Sequence, residues 1–328
     1  MTDSLPARTA YRDRLAAVLP AHERTICLDT DTGLFTGTDF GTAAGRYVNI
    51  GIAEHNAMGM AAGLAASGWM PFVNTMAAFA TSRAVEAIKI DIAYNAVPVR
   101  IMATHGGLSS GHLGPTHQCL EDLAVMRALP NMTVVVPADA AATEAVVDAA
   151  LDLPGPLYVR MGRKATPAVP GNPEPPRIGK AQRLRAGADV LLVGCGPYPV
   201  LAALEAAEIL AGQGIDAGVL NMHTLKPFDV PGLLAAAAGR RLVVTVEEHW
   251  RSGGLGAVVT ETLAEHDPMR VLRIGMPDSF AGFVGSHEDL LRHYGITAEA
   301  VVAAVTQHSS PPHPSRKGIK HDHRLPRM

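Results

Sequence analysis

Cysteine is scarce: the 328 residues hold three, Cys27, Cys119 and Cys195, far apart and with no Cys-x-x-Cys pair. That argues against a disulfide framework and fits reduced thiols in a cytoplasmic protein. Aromatic residues make up 5% of the chain, too few for an aromatic-rich β-sandwich. Charge of either sign is not in large excess. A formal net charge of −3 speaks against nucleic acid as the main partner. No apolar run approaches the roughly 18 residues of a membrane span, and the opening MTDSLPARTAYRDR places charges where a signal peptide needs an apolar core.

What is abundant is alanine and glycine, in a chain 48% hydrophobic and 18% charged. Such a composition suits small-residue helices packed closely on sheets, and the length allows two domains. Strand-like and helix-like segments alternate, the pattern of a parallel sheet covered on both faces. Strands are expected at Thr25–Leu28, Tyr47–Ile50, Pro71–Asn74, Val99–Thr104, Thr133–Val136 and Leu157–Arg160, with helices at Glu54–Ser67, Ala78–Tyr94 and Ala141–Leu151. The run ATPAVPGNPEPPR, with five prolines, reads as a linker. A second α/β unit follows, with strands at Ala188–Gly194, Asp216–Asn221, Arg241–Glu247 and Arg270–Ile274. The expected division is therefore two three-layer α/β domains, 1–165 and 188–308, a linker at 166–187, and a basic tail at 309–328 too polar to bury a core.

Open α/β sheets bind ligands beyond the carboxyl ends of their strands. Polar residues gather at those ends: Asp29 and Asp31, Glu54, His105 and Arg163. Glu54 follows the strand Tyr47-Val-Asn-Ile through Gly51, among Ile50, Ile52, Ala53 and Met58. A carboxylate there is costly without a partner; the alternative is a helix-start residue that reaches back to cap the Asn49–Ile50 backbone. The segment Thr104–His117 carries His105, His112, His117 and four glycines. Glycines let backbone approach a ligand, and loop histidines carry protons near neutral pH. Zinc is the rival, but the three lack an i, i+4 pair and any accompanying thiolate, so no metal is assigned to this chain.

GIAEHN, PFVNTMAAFATSR, ATHGGLSSGHLGPTHQ, LPNMTVVVPAD and LYVRMGR, followed by VLNMHTLKPFD, VVTVEEHWRSGGLG and VLRIGMPDSF, together resemble the transketolase family over about residues 8–305. The resemblance covers the pyrimidine-binding and C-terminal domains. The half that carries the magnesium and diphosphate site has no counterpart here, so the chain is similar to the C-terminal subunit of a split transketolase. By resemblance, the cofactor is thiamine diphosphate. Glu54 hydrogen-bonds its aminopyrimidine and starts formation of the ylid. Phe79 stacks on the pyrimidine, with Met76 in place of a second aromatic, and Ile52 and Asp31 stand near the cofactor. His105, His112, Leu113 and His117 line the substrate channel, His105 and His117 as catalytic groups. Arg163 and Arg8 grip a substrate phosphate; Arg8 also reads as a solvated N-terminal arginine. Taken alone, Phe79 reads as a core residue and Asp31 as a turn residue.

Three departures stand out. Met76 offers a thioether where the family has a ring. Gly111-His-Leu-Gly114 lacks the family's acids, so discrimination for one substrate hydroxyl is lost. Phe35 stands near the place of a phosphate-contacting serine. The implied reaction is transfer of a two-carbon ketol unit from a ketose to an aldehyde, on a non-standard sugar. Magnesium would be held by an N-terminal partner subunit, in an α2β2 assembly. The alternatives are the β subunit of a 2-oxoacid dehydrogenase E1 or a deoxyxylulose-phosphate-synthase-like enzyme, and, in another class, a non-catalytic scaffold. His223 and His249 are expected to be structural or interface residues, and Glu247 and Glu248 to sit at a subunit contact.

Overall fold

The computed structural model describes residues 5–170 and 175–309; the tail expected at 309–328 lies outside the described residues save Ser309. Among the described residues, twelve strands form two sheets. In chain order they are β1 (Thr25–Asp29), β2 (Tyr47–Asn49), β3 (Met70–Met76), β4 (Arg100–Thr104), β5 (Thr133–Val135), β6 (Leu157–Arg160), β7 (Gln182–Arg185), β8 (Val190–Cys195), β9 (Ala217–Asn221), β10 (Thr224–Lys226), β11 (Leu242–Trp250) and β12 (Val271–Met276).

The first sheet runs β10-β5-β6-β4-β3-β1-β2 and the second β12-β11-β8-β9-β7. All pairings are parallel except the two edges, β10 on β5 and β7 on β9. The central strands β3, β4 and β6 are almost wholly buried, as strands covered on both faces must be. Their runs of Val, Ile and Met made them legible from sequence.

The Glu54–Ala66 helix buries Ala57, Met58, Ala61, Ala62 and Ala65. Alanine is the best helix former and its short side chain lets the backbone lie close to the sheet. The expected helix over 78–94 is instead broken: Ala77–Ser82, then Val85–Ala87, then a π-helical turn at Ile88–Ala93. π turns are rare and tend to fall near functional positions. The first fragment starts directly after β3, which carries Phe79 to the sheet edge.

The domains are joined by more than a linker. β10 leaves the second unit and extends the first sheet, and Lys226 donates from Nζ to the carbonyls of Arg127 (2.9 Å) and Leu129 (2.5 Å), a cation on the last carbonyls of the Asp122–Ala128 helix. One apolar cluster crosses the seam, with Met126, Met132 and Val134 packed in the same core as Leu191, Leu220 and Leu233. Within 166–187, residues Gln182–Arg185 form edge strand β7, and Thr166 and Val169 are buried. A polar strand that exposes one face has little hydrophobic signature.

Two expected placements differ. Glu247 is not at a free surface: it is buried and accepts the backbone N–H groups of Leu255 (2.6 Å) and Gly256 (2.8 Å), which are otherwise unbonded at a helix start. Phe35 is a core residue, packed edge-on against Tyr11 and at a tilt against Phe40 and Tyr47 at centroid distances of 5.6–5.7 Å.

Candidate active site

The carboxyl ends of β1, β2, β3 and the loop after β4 converge on a cleft of about 350 Å³ lined by Asp31, Ile52, Glu54, Met76, Phe79 and His117, with Arg83 and threonines 30, 32 and 116. Six residues singled out from sequence therefore share one wall.

Glu54 opens its helix with no capping role. Its carboxylate is 4% exposed, and the group nearest both oxygens is Arg83 Nη1, at 3.5 and 3.4 Å. Those are long contacts for a charge pair. The backbone turn before it is held instead by Asn49 Oδ1, which accepts from Gly51 N at 2.9 Å. The carboxylate is thus rigidly placed, desolvated and short of strong partners.

Phe79 is half-buried. The Arg83 guanidinium lies 4.4 Å from its ring centroid, within cation–π range, and the His117 ring meets it edge-on at 5.3 Å. Arg83 was not anticipated. Its signal was its place four residues after Phe79, one helical turn on, where the two side chains share a face. Met76, three residues before Phe79, covers the same wall. Ile52 is 71% exposed, an unusual state for a large apolar residue beside a buried carboxylate.

Asp31 and His105 both hold positive φ, 61° and 62°, a backbone region that costs a non-glycine residue about 1–3 kcal/mol. Each follows the end of a strand, but of the two Asp31 lines the cleft, while His105, like Arg8 and Arg163, lies outside its lining. Asp31 accepts from Asn49 Nδ2 at 2.9 Å. Behind it, buried Asp29 ties the loop down through Tyr47 Oη (2.9 Å) and Asn74 Nδ2 (2.8 Å).

His105 is 3% exposed. Burial, and then the charges of Arg8, Arg163 and His117, lower its pKa to about 3. At neutral pH it is an uncharged imidazole. Thr104 Oγ1 donates to Thr75 O (3.2 Å) and lies 2.9 Å from His105 Nδ1. With the hydroxyl proton given to the carbonyl, Nδ1 donates, and Nε2 is left as an acceptor. Arg8 and Arg163 pair with no carboxylate among the described residues, and Arg8 Nε is buried without a partner. Burial, Arg163 and Arg12 lower the Arg8 pKa. Two cations left uncompensated beside a neutral histidine make an anion-seeking corner.

His112 and Leu113 are exposed on a short turn and do not line the cleft around Glu54. That turn packs on the second domain, where a Cβ on Gly111 would lie 3.0 Å from Gly285 O. Behind the loop, Arg160 is buried, 3.2 Å from Asp122 and 2.6 Å from Glu248 O. Gly106 admits it: a Cβ there would meet Arg160 Cγ at 2.5 Å. His223 and His249 are buried, each with its pKa lowered to about 4 chiefly by desolvation, which fits structural roles. No cluster of three or more metal-ligating side chains occurs among the described residues, and no described helix is long and apolar enough to cross a membrane.

Residues 3–169 match the family "Transketolase, pyrimidine binding domain" and residues 179–301 "Transketolase, C-terminal domain". The chain is 39% identical to one subunit of the apulose-4-phosphate transketolase of Phocaeicola vulgatus, over 90% of this chain and 95% of that protein. It is 37% identical to a 6-deoxy-6-sulfo-D-fructose transketolase subunit of Clostridium sp., over 90% and 92%. Among solved structures, a split gene transketolase described as an inactive beta4 tetramer superimposes with a TM-score of 0.85, at 42% identity, covering 92% of this chain and 98% of that one. The chain therefore belongs to the transketolase family, as a subunit of the split kind that carries the pyrimidine-binding and C-terminal domains.

Proposed function

We propose that this chain supplies the pyrimidine half of a thiamine diphosphate site that a diphosphate- and magnesium-holding N-terminal partner completes, and that the pair transfers a two-carbon ketol unit between anionic sugars. The observation that carries the reading is the wall itself: a buried carboxylate without a short hydrogen bond, beside a half-buried phenyl face, at the carboxyl edge of a parallel sheet.

That wall fits an aminopyrimidine. Glu54 presents an acceptor to a protonated ring nitrogen, Phe79 a flat apolar face, and Met76 and Ile52 apolar edges. When bound, thiamine diphosphate supplies a carbon nucleophile able to take up the ketol unit. The chain's own residues do the rest. Glu54 holds a proton at the pyrimidine nitrogen in a desolvated setting, where a charge-assisted hydrogen bond is strong. His105 offers Nε2 as an acceptor for a substrate hydroxyl; with its pKa lowered to about 3 it is a weak base and acts as a neutral hydrogen-bond partner. His117, set against Phe79, lies between the pyrimidine wall and the histidine loop. Arg8 and Arg163 hold an anionic terminus in a fork of donors. Both named relatives act on sugars with such a group, a phosphate in one and a sulfonate in the other, which supports an anionic substrate here.

The 71% exposed Ile52 is the surface the partner would cover, and an α2β2 assembly gives two such sites. The chain and its neighbouring N-terminal subunit would be assayed for ketol transfer separately and mixed. The mixture alone should be active, saturating at one chain per partner. Full activity in either separate chain would overturn the reading.

A further inference from the structure

A second cavity lies at the seam of the domains and shares no lining residue with the cleft around Glu54. In the second sheet the chain leaves β8 for β9 on one side and later reaches β11 on the other. Crevices at such a switch point are where open α/β sheets take ligands. Cys195 at the end of β8, Gly196 after it and Glu248 on β11 line the cavity there.

Its walls present donors that nothing satisfies. His287, 4% exposed, donates from Nε2 to Glu248 Oε2 at 2.8 Å, since a carboxylate only accepts. Its Nδ1 is buried with no partner. Desolvation lowers the His287 pKa, but the Glu248 charge and hydrogen bond outweigh it and the pKa is raised, which favours a proton on Nδ1 as well. Thr166, 5% exposed, leaves Oγ1 buried and unpartnered on the facing domain. At the start of the 16-residue Pro197–Gly212 helix, Pro197 and Pro199 have no N–H, which leaves Tyr198 N–H as the donor between them. Lys164 lines the cavity too and pairs with no carboxylate among the described residues.

Arg160 is matched by Asp122 and Glu248 by His287; the exposed Lys164 adds a cation at the rim, and Glu288, which accepts from Tyr198 Oη at 2.8 Å, adds an anion, so unpartnered donors and not a surplus of charge recommend the site. The space open to the centres of water-sized atoms is about 30 Å³, roughly two to three such spheres, the scale of one small polar group and not of a whole sugar.

We infer that this seam cavity binds a small oxyanion group, phosphate or carboxylate, through Lys164, Thr166, His287 and the Tyr198 N–H. The occupant bridges Thr166 of the first domain to His287 of the second. Gly106 and Ser109 of the histidine loop form another wall, so an anion here fixes the loop from behind.

The test uses the full chain. Its melting temperature is followed against inorganic phosphate, with chloride at matched ionic strength as control, in wild type, Thr166→Val, Lys164→Gln and Arg163→Gln. Thr166→Val keeps the volume and removes only the hydroxyl. Phosphate should raise the wild-type melting temperature, with half-saturation shifted at least fivefold higher in Thr166→Val and in Lys164→Gln; Arg163→Gln removes what the separate Arg8–Arg163 corner contributes and leaves a rise that still shifts with Thr166→Val. No phosphate-specific rise, a rise indifferent to the first two variants, or one abolished by Arg163→Gln alone would overturn the assignment. A selenate soak should place an anomalous peak within hydrogen-bond reach of Thr166 and His287; ordered water only at that position would also overturn it. Methyl phosphate protecting as well as inorganic phosphate assigns the site to an ester head group, and protection by the free ion alone assigns it to inorganic phosphate.

Discussion

Replacing Glu54 by glutamine separates stability from chemistry at one atom. The side chain keeps its length and its place in the wall, loses its charge, and turns one acceptor into a donor. For folding, little should change. Among the described residues its one close partner is Arg83 at 3.4 Å, and Arg83 is 52% exposed, so it rehydrates when the carboxylate is gone. A half-exposed pair is worth about 0–1 kcal/mol, and burying a neutral amide costs less than burying a lone carboxylate. The expected change in stability is within about 1 kcal/mol, which for a domain of this size is a melting shift of about 2–4 °C or less. For catalysis, the loss is a charge-assisted hydrogen bond that controls where a proton sits, and removal of such a group typically costs about 10²–10⁴-fold in rate. The assay is ketol transfer by the mixed subunits at saturating cofactor, beside thermal unfolding and size measurement of the same sample. A stable, assembled Glu54→Gln complex that keeps more than a tenth of wild-type activity would refute the catalytic placement of Glu54. It would instead favour a scaffold subunit.

Three further expectations can be checked with the same material. Phe79→Ala removes the stacking face and the Arg83 contact; cofactor affinity should fall by roughly tenfold or more while the fold persists, and an unchanged affinity in titration calorimetry would remove Phe79 from the site. His105, His223 and His249 have pKa values lowered to about 3, 4 and 4, so the unfolded state binds protons that the folded state excludes. Their contribution to stability is complete above the ordinary value near 6.5 and is lost as pH falls toward 4, by up to about 1.4 kcal/mol per pH unit for each; urea midpoints that do not fall between pH 7 and pH 5 would contradict these assignments. Gly106→Ala drives a methyl group into Arg160, 2.5 Å away, and should destabilise by about 1–3 kcal/mol, read as a lowered urea midpoint without change in slope.

Most of the architecture was legible because the central strands are short apolar runs between small-residue helices, and a buried parallel sheet has that signature. β7 and β10 were not. Gln182–Arg185 is polar because it is an edge, and Thr224–Lys226 is three residues long and pairs with a strand from the other domain, a relation no local pattern encodes. The cleft was legible through motif order: Asp31, Ile52, Glu54, Met76, Phe79 and His117 do meet. Arg83 was passed over because the expected helix ran unbroken through it, and an exposed arginine there needs no explanation. Phe35 was read from its neighbours in sequence, whereas its neighbours in space are Tyr11, Phe40 and Tyr47. His112 and Leu113 share the loop of His105 and His117 but turn outward, since glycines 111 and 114 both hold positive φ.

The central claim is that Glu54 and Phe79 form one wall of a site whose other wall belongs to a second subunit. Titration calorimetry of thiamine diphosphate with magnesium, into this chain, into its partner and into their equimolar mixture, tests it most directly. The account predicts tight binding of one cofactor per pair in the mixture and binding at least a hundredfold weaker to this chain alone. Equally tight binding to the isolated chain, or a mixture whose affinity is indifferent to Glu54→Gln and Phe79→Ala, would contradict it.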